Sequence, residues 1–348
     1  MLKYFLRRLL LVVPTFLGIT LVCFALTQFV PGGPVEQRLL QMRGLMGAEG
    51  AASASAAKGG AASVTEAMRQ DLMRHYGFDQ PLHVRYKRRL VDDRLGLAMK
   101  SYHYTDKSAW QLIATRIPVS LAFGLTGFFL SYLVCVPLGI AKALRHGTRF
   151  DFASSAIVFI GYAIPSFALG MVLKMLLCGT VDSLWDFFPL GGVASDGAPF
   201  LSPLARFADR LRHMALPVAC YVAGNFAMLT LLMKNSLLDQ MGSDYIRTVL
   251  AKGATRRRAV WGHALRNSLI PIATGFGGIL TVMFAGSVII EKVFEIPGMG
   301  LLSLEAIGTR DYPVFMAILA LTSILGLLGQ ILSDLCYVLI DPRIRFTR

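Results

Sequence analysis

The strongest constraint on this chain is a series of apolar runs, each about as long as a bilayer is thick. Six stand out, at about 9–30, 118–141, 152–177, 214–233, 269–290 and 313–340. At 1.5 Å per residue, a helix of about 20 residues crosses a hydrocarbon core of about 30 Å. Lipid offers no partners to backbone amides, so each run is expected to be helical. Composition agrees. Only 16% of residues are charged, against about 25% in a soluble domain. The expected class is an all-α integral membrane protein with six transmembrane helices. Pro14, Pro137, Pro165, Pro217 and Pro271 predict kinks or helix starts.

The first run follows Lys3, Arg7 and Arg8 and ends at Pro31–Gly32–Gly33–Pro34. A cleavable signal peptide has a shorter apolar region and a small-residue cleavage site. The run is therefore read as a retained first helix, 1–30. Loop charge then sets orientation. With the N-terminus in the cytoplasm, the inner segments carry sixteen Lys and Arg against four acids. The two short outer segments, 180–213 and 291–312, carry five against eight. Both termini are expected inside, with a cytoplasmic tail at 341–348. The net charge of +14 is largely topology, so nucleic acid is not the expected partner.

The outer segment 31–117 is too long for the charge rule to apply. Its stretch 44–63 is almost wholly Ala, Gly and Ser, which reads as a flexible insertion. The stretch 65–110 interleaves aromatic and basic residues. That pattern fits an amphipathic helix lying on the membrane or on the spanning helices, or a contact with an outside partner.

No catalytic constellation is visible, and the chain is not read as an enzyme. It has no G-x-x-x-x-G-K-[ST], so it should not bind ATP through a P-loop. Its five cysteines form no C-x-x-C pair and its six histidines no H-x-x-x-H spacing, so no metal site is expected. "GFGG" at 275–278 lies inside an apolar span, where small residues let helices approach. Two charges fall within spans. Lys174 lies near an outer helix end and is expected to snorkel. Asp334 lies about two turns from the inner end of the last helix and needs a partner: Ser333, an inner-loop arginine or a helix end. An ion-coupled secondary transporter or channel using Asp334 is one reading. A single acid near the edge is poor equipment for it, so energy for uphill transport should come from elsewhere.

The place to receive it is the inner loop 234–268. "AKGATRRRAVWGHALRN" at 251–267 interrupts an oily chain with a compact basic module. The stretch 244–252 has helical composition, Gly253 is a plausible C-cap, and Thr255 can cap a second helix over 256–267. Arg256–Arg258 oppose the dipole of that second helix and call for acidic or phosphate partners. Docking of another protein, a topology signal and a nucleic-acid patch remain the three readings of these residues.

"DYIRTVLAKGATRRRAVWGHALRNSLIPI" at 244–272 resembles the EAA loop of ABC importer permeases of the dipeptide/oligopeptide class. The resemblance to these permeases continues outside that loop in "PGGPVEQ", "YGFDQPLHVRY", "RIPVSL", "IPSF", "IPGMGLLSLEAIGTRDYPV" and "DLCYVLIDPRIR", which occur in order along nearly the whole chain. Aligned on Gly253, the generic E-A-A is Arg247, Thr248 and Val249. His263, Leu265 and Arg266 replace the later I, L and P. Arg247 thus inverts the charge of the generic glutamate, as in the peptide-type subclass. The resemblance implies a MetI-like core of five helices over 118–340, preceded by the one extra helix. It implies a homologous second permease, two cytoplasmic ATPase domains that bind the ATP, and a periplasmic or lipid-anchored peptide-binding protein. It also implies that Tyr245, Ala251, Lys252, Gly253, Ala254, Arg258, Leu265 and Arg266 contact an ATPase or shape the loop.

Overall fold

The structure, a computed structural model, describes residues 2–29, 35, 69–74, 78–179, 185–273, 275 and 287–340. Every regular element among them is helical, apart from one isolated bridge between Lys100 and Ser108. The main helices are α1 (Leu2–Phe29), α2 (Leu82–Lys87), α3 (Ala109–Leu144), α4 (Arg149–Ala163) and α5 (Ser166–Leu177). They continue with α6 (Pro203–Met241), α7 (Asp244–Ala251), α8 (Arg256–Ala259), α9 (Leu265–Ser268) and α10 (Ile270–Ala273). The last three are α11 (Val288–Val293), α12 (Met299–Gly308) and α13 (Tyr312–Ile340).

Among the described residues four helices, α1, α3, α6 and α13, are long and apolar enough to cross a membrane. The expected span 152–177 is not one straight helix. It is the pair α4 and α5, bent by 91°. The cause is local: a residue before proline is pushed out of the helical region. Ile164 accordingly is extended (ψ 117°), and Pro165 caps α5. If the pair is one span, the spans number up to five. Most of the expected span 269–290 lies outside the described residues, as do the insertion 44–63 and the tail 341–348.

The chain divides into two units. One contains 1–13, 115–302 and 322–348. Among its described residues two apolar core clusters stand out. The first gathers Phe123 of α3, Leu216 and Cys220 of α6, and Ile290, Phe294 and Ile296 of the α11 region. The second gathers Ala143 of α3, Met233 and Leu237 of α6, and residues of the loop that follows α6. Phe123 and Ala143 are twenty residues apart on one helix, about 30 Å at 1.5 Å per residue. The other unit contains 14–114 and 303–321. There α2 and a π-helical turn, Arg88–Asp92, pack on α1: the Tyr86 hydroxyl meets Thr20 Oγ1 at 2.8 Å, and its ring lies beside Phe24. Asp311 gathers the loop at 101–103, accepting from the Ser101 hydroxyl and from the amides of Tyr102 and His103.

Candidate functional site

The loop between α6 and α10 is built around one turn. Gly253 N–H donates to the Leu250 carbonyl (2.9 Å) and Ala254 N–H to the Val249 carbonyl (3.3 Å). This pair of bonds is a Schellman motif, which satisfies the free carbonyls at a helix end and needs a left-handed residue. Gly253 supplies it with φ +85°. Space is not the reason for glycine, because nothing lies within 4 Å of an added Cβ. The cost of a side chain there is conformational, about 1–2 kcal/mol. Two residues on, Thr255 Oγ1 accepts from Arg258 N–H (3.3 Å) and starts α8. A π-helical turn, Val260–Ala264, joins α8 to α9.

Burial sorts the loop into an inward and an outward face. Ile246, Ala259, Val260 and Ala264 pack against Met233 and Leu237 of α6. Polar staples close the base. The Ser236 hydroxyl donates to the Ser268 carbonyl (2.8 Å). The Tyr245 hydroxyl donates to Gln240 Oε1 (2.8 Å) and accepts from Asn267 Nδ2 (3.1 Å). The outward face presents Leu250, Ala251, Lys252, Gly253, Arg256, Arg257, Arg258, Trp261 and Arg266, all exposed. Among the described residues no acid pairs with Arg256, Arg257 or Arg258. The face is therefore basic and partly apolar, on a base fixed to a long helix.

The eight residues singled out from the sequence divide accordingly. Tyr245, Gly253, Ala254 and Leu265 give the loop its shape: two through hydrogen bonds at the base and turn, Gly253 through its φ and Leu265 by packing on the α6 cluster. Ala251, Lys252, Arg258 and Arg266 are surface. Trp261, 53% exposed, was missed. Its signal was available: it falls out of register with the buried positions 260, 264 and 268.

Two intramembrane charges have partners on distant elements. Asp334, for which Ser333, an inner-loop arginine or a helix end was the expected partner, is engaged from α1. The Tyr4 hydroxyl donates to it (2.9 Å) and Arg8 pairs with it, both from the first turns of α1. Lys174, near the outer end of α5, is met from the α11 side. It donates to the Val293 carbonyl (3.0 Å) and pairs with Glu295 (3.2 Å), because the bent α5 lies against α11. A cavity of about 540 Å³ lies between α3, α6 and α10, walled by Phe128, Tyr132, Tyr221, Met228 and Leu232, with Asn225 at its edge.

Residues 135–346 match the model of one family, described as the inner membrane component of binding-protein-dependent transport systems. The chain belongs to that family. The matched region contains the loop at 242–268 with both helices flanking it. Full-length relatives agree. The inner membrane ABC transporter permease protein YejB of Escherichia coli O157:H7 is 38% identical over 99% of this chain and 98% of its own. The oligopeptide transport system permease protein AppB of Bacillus subtilis is 31% identical over 99% and 100%. The dipeptide transport system permease protein DppB of E. coli K12 is 32% identical over 99% of each. The chain is a permease subunit of an ABC importer and a multi-pass protein of the bacterial inner membrane.

Proposed function

We propose that this permease carries peptides, forming half of an ATP-driven pathway with a homologous second subunit. Six spans bring both termini to the cytoplasm: an N-terminal helix (1–30), an outer segment (31–117), a five-helix core (118–340) and a short tail. Two separate ATPase domains bind and hydrolyse the ATP. An outer binding protein, soluble or lipid-anchored, delivers the cargo. The names of the relatives support the cargo class. The cavity between α3 and α6 supports the pathway, because a concave, mostly apolar space with a few polar groups is where a solute can be taken up.

The single observation that carries the coupling role is the loop around Gly253. It is stapled to α6 at its base, sharply turned at its tip, and basic on its outward face. In this reading it docks on one ATPase domain, with Ala251, Lys252, Arg258 and Arg266 at the contact and Tyr245, Gly253, Ala254 and Leu265 holding the shape. Charge complementarity then steers the partner. Asp334 does not support ion coupling, since it is already engaged by Tyr4 and Arg8.

The test is Gly253→Asp in the assembled transporter. Uptake should fall at least tenfold while ATP hydrolysis loses its response to cargo. Normal uptake with fully coupled hydrolysis would sink the coupling role. Uptake that survives without any ATPase and collapses with the proton gradient would sink the ATP-driven reading itself.

A further inference from the structure

Three charges that the sequence offers only as topology signals meet in one buried cluster. Lys142 is in the last turn of α3, Asp151 in the first turn of α4, and Lys234 is two turns before the end of α6. Lys234 Nζ lies 2.7 and 2.8 Å from the two Asp151 oxygens. Lys142 Nζ lies 3.3 Å from Asp151 Oδ1 and donates to the Asp151 carbonyl and to the hydroxyls of Ser154 and Ser155. His146 Nδ1 and the Gly147 amide each sit 3.2 Å from Asp151 Oδ2. The side chains are 0%, 8% and 11% exposed for Lys142, Asp151 and Lys234.

Stability alone does not account for this arrangement. Apolar residues of similar volume often hold helices as well as a buried ion pair does. What the cluster adds is direction and a spare cation. Charge-assisted hydrogen bonds are short and geometrically demanding. Two lysines share one carboxylate, so the Asp151–Lys234 contact can open and leave Asp151 still paired with Lys142. A lone buried pair would strand both charges on opening, whereas here only Lys234, the more exposed of the two lysines, loses its partner.

The elements on either side give the contact a use. From Lys234, α6 runs unbroken into the loop at 242–268, and Ser236 ties the far end of that loop, Ser268, to the same helix segment. From Asp151, α4 runs to the break at Pro165 and the 91° turn into α5. We infer that Asp151 and Lys234 are positioning residues, forming the contact through which displacement of the 242–268 loop reaches the broken span α4–α5. Lys142 keeps the carboxylate paired while that contact rearranges. The inference rests on the coupling role proposed above for the loop.

The complete transporter, purified with its partner subunits, tests it. Nitroxide pairs at Arg145 and Arg257 report the loop, and pairs at Met171 and Phe207 report α5. Distances are measured before and after trapping the ATPase with ATP and vanadate. In the wild type both pairs should shift. In Lys234→Gln, which leaves Asp151 paired with Lys142, the loop shift should persist while the α5 shift falls at least threefold. Lys234→Arg should restore it. An α5 shift that survives in Lys234→Gln overturns the inference. If Lys234→Gln does not assemble, Asp151→Asn takes its place. Failure of both to assemble makes the cluster a folding element and also overturns the inference. A wild type whose loop does not move on trapping removes the coupling reading beneath it.

Discussion

Two buried carboxylates in this protein are satisfied by opposite means. Asp151 sits between two lysines, with His146 beside it. Glu291, on α11, meets neutral donors: the Leu301 amide at 2.8 Å and the Ser120 hydroxyl at 3.3 Å. Ser120 in turn accepts from the Met299 amide at 2.7 Å. The first arrangement joins three helices through charge. The second folds the Gly298–Leu301 stretch around a carboxyl group, with α3 contributing one hydroxyl. A charge-held contact has a defined open state, whereas a donor-wrapped carboxyl serves as a template. In the coupling inference above, the α4–α6 junction is the part that rearranges and the α11–α12 turn the part that holds its shape.

The sharpest way to break that contrast is to delete each carboxylate. Asp151→Ala leaves two lysines, one fully buried, without an anion. Losing one partner of a buried pair costs about 3–5 kcal/mol. Glu291→Ala leaves only neutral donors unmet, at about 1–3 kcal/mol. Thermal unfolding of the assembled transporter should therefore rank Asp151→Ala well below Glu291→Ala. The reverse order would mean that Glu291 is the charged hub.

Gly300→Ala sharpens the second half of the comparison. A Cβ at Gly300 would lie 2.7 Å from the Val288 amide nitrogen and 2.8 Å from its Cα, both backbone atoms. The turn must shift, at about 1–3 kcal/mol for overpacking, and the Leu301 bond to Glu291 should weaken with it. Amide exchange at Leu301 should speed up while that at Ser236 and Leu237 stays put. Equal acceleration at both places would mean that the α11–α12 turn is not an independent rigid element.

How far the sequence showed this in advance depends on the range of the interaction. The apolar runs are local and gave α1, α3, α6 and α13, although α3 and α6 extend past the apolar segments. The Gly253 turn is also local: a helix, a glycine and a capping threonine within a dozen residues, and the backbone follows that pattern. Pro165 carried half its message: the break is local, but the contact of α5 with α11 beyond it is not. The Asp151 cluster was not legible. Lys142 and Lys234 read as ordinary inner-side lysines and Asp151 as one of four inner acids, because a sequence separation of 83 between Asp151 and Lys234 hides a contact made only in three dimensions. The partners of Lys174 and Asp334 were hidden for the same reason: Glu295 and Arg8 lie far along the chain.

The smallest expected effect is the pH response of the template. Burial pushes the Glu291 carboxyl above its ordinary value, opposed in part by the Leu301 amide and the Ser120 hydroxyl. The folded protein thus keeps this proton to higher pH than the unfolded chain does. Stability from this group is greatest at low pH, declines as pH rises past the ordinary carboxyl range, and levels off above the raised value. Protection factors at the Met299 and Leu301 amides, corrected for intrinsic exchange, should fall over that window. Glu291→Gln carries no titrating proton, so it should remove the slope while keeping one acceptor for the turn. A slope that persists in Glu291→Gln would place the titrating group elsewhere. A slope of opposite sign in the wild type would mean that Glu291 is stabilised as an anion, and the distinction from Asp151 would then be one of degree.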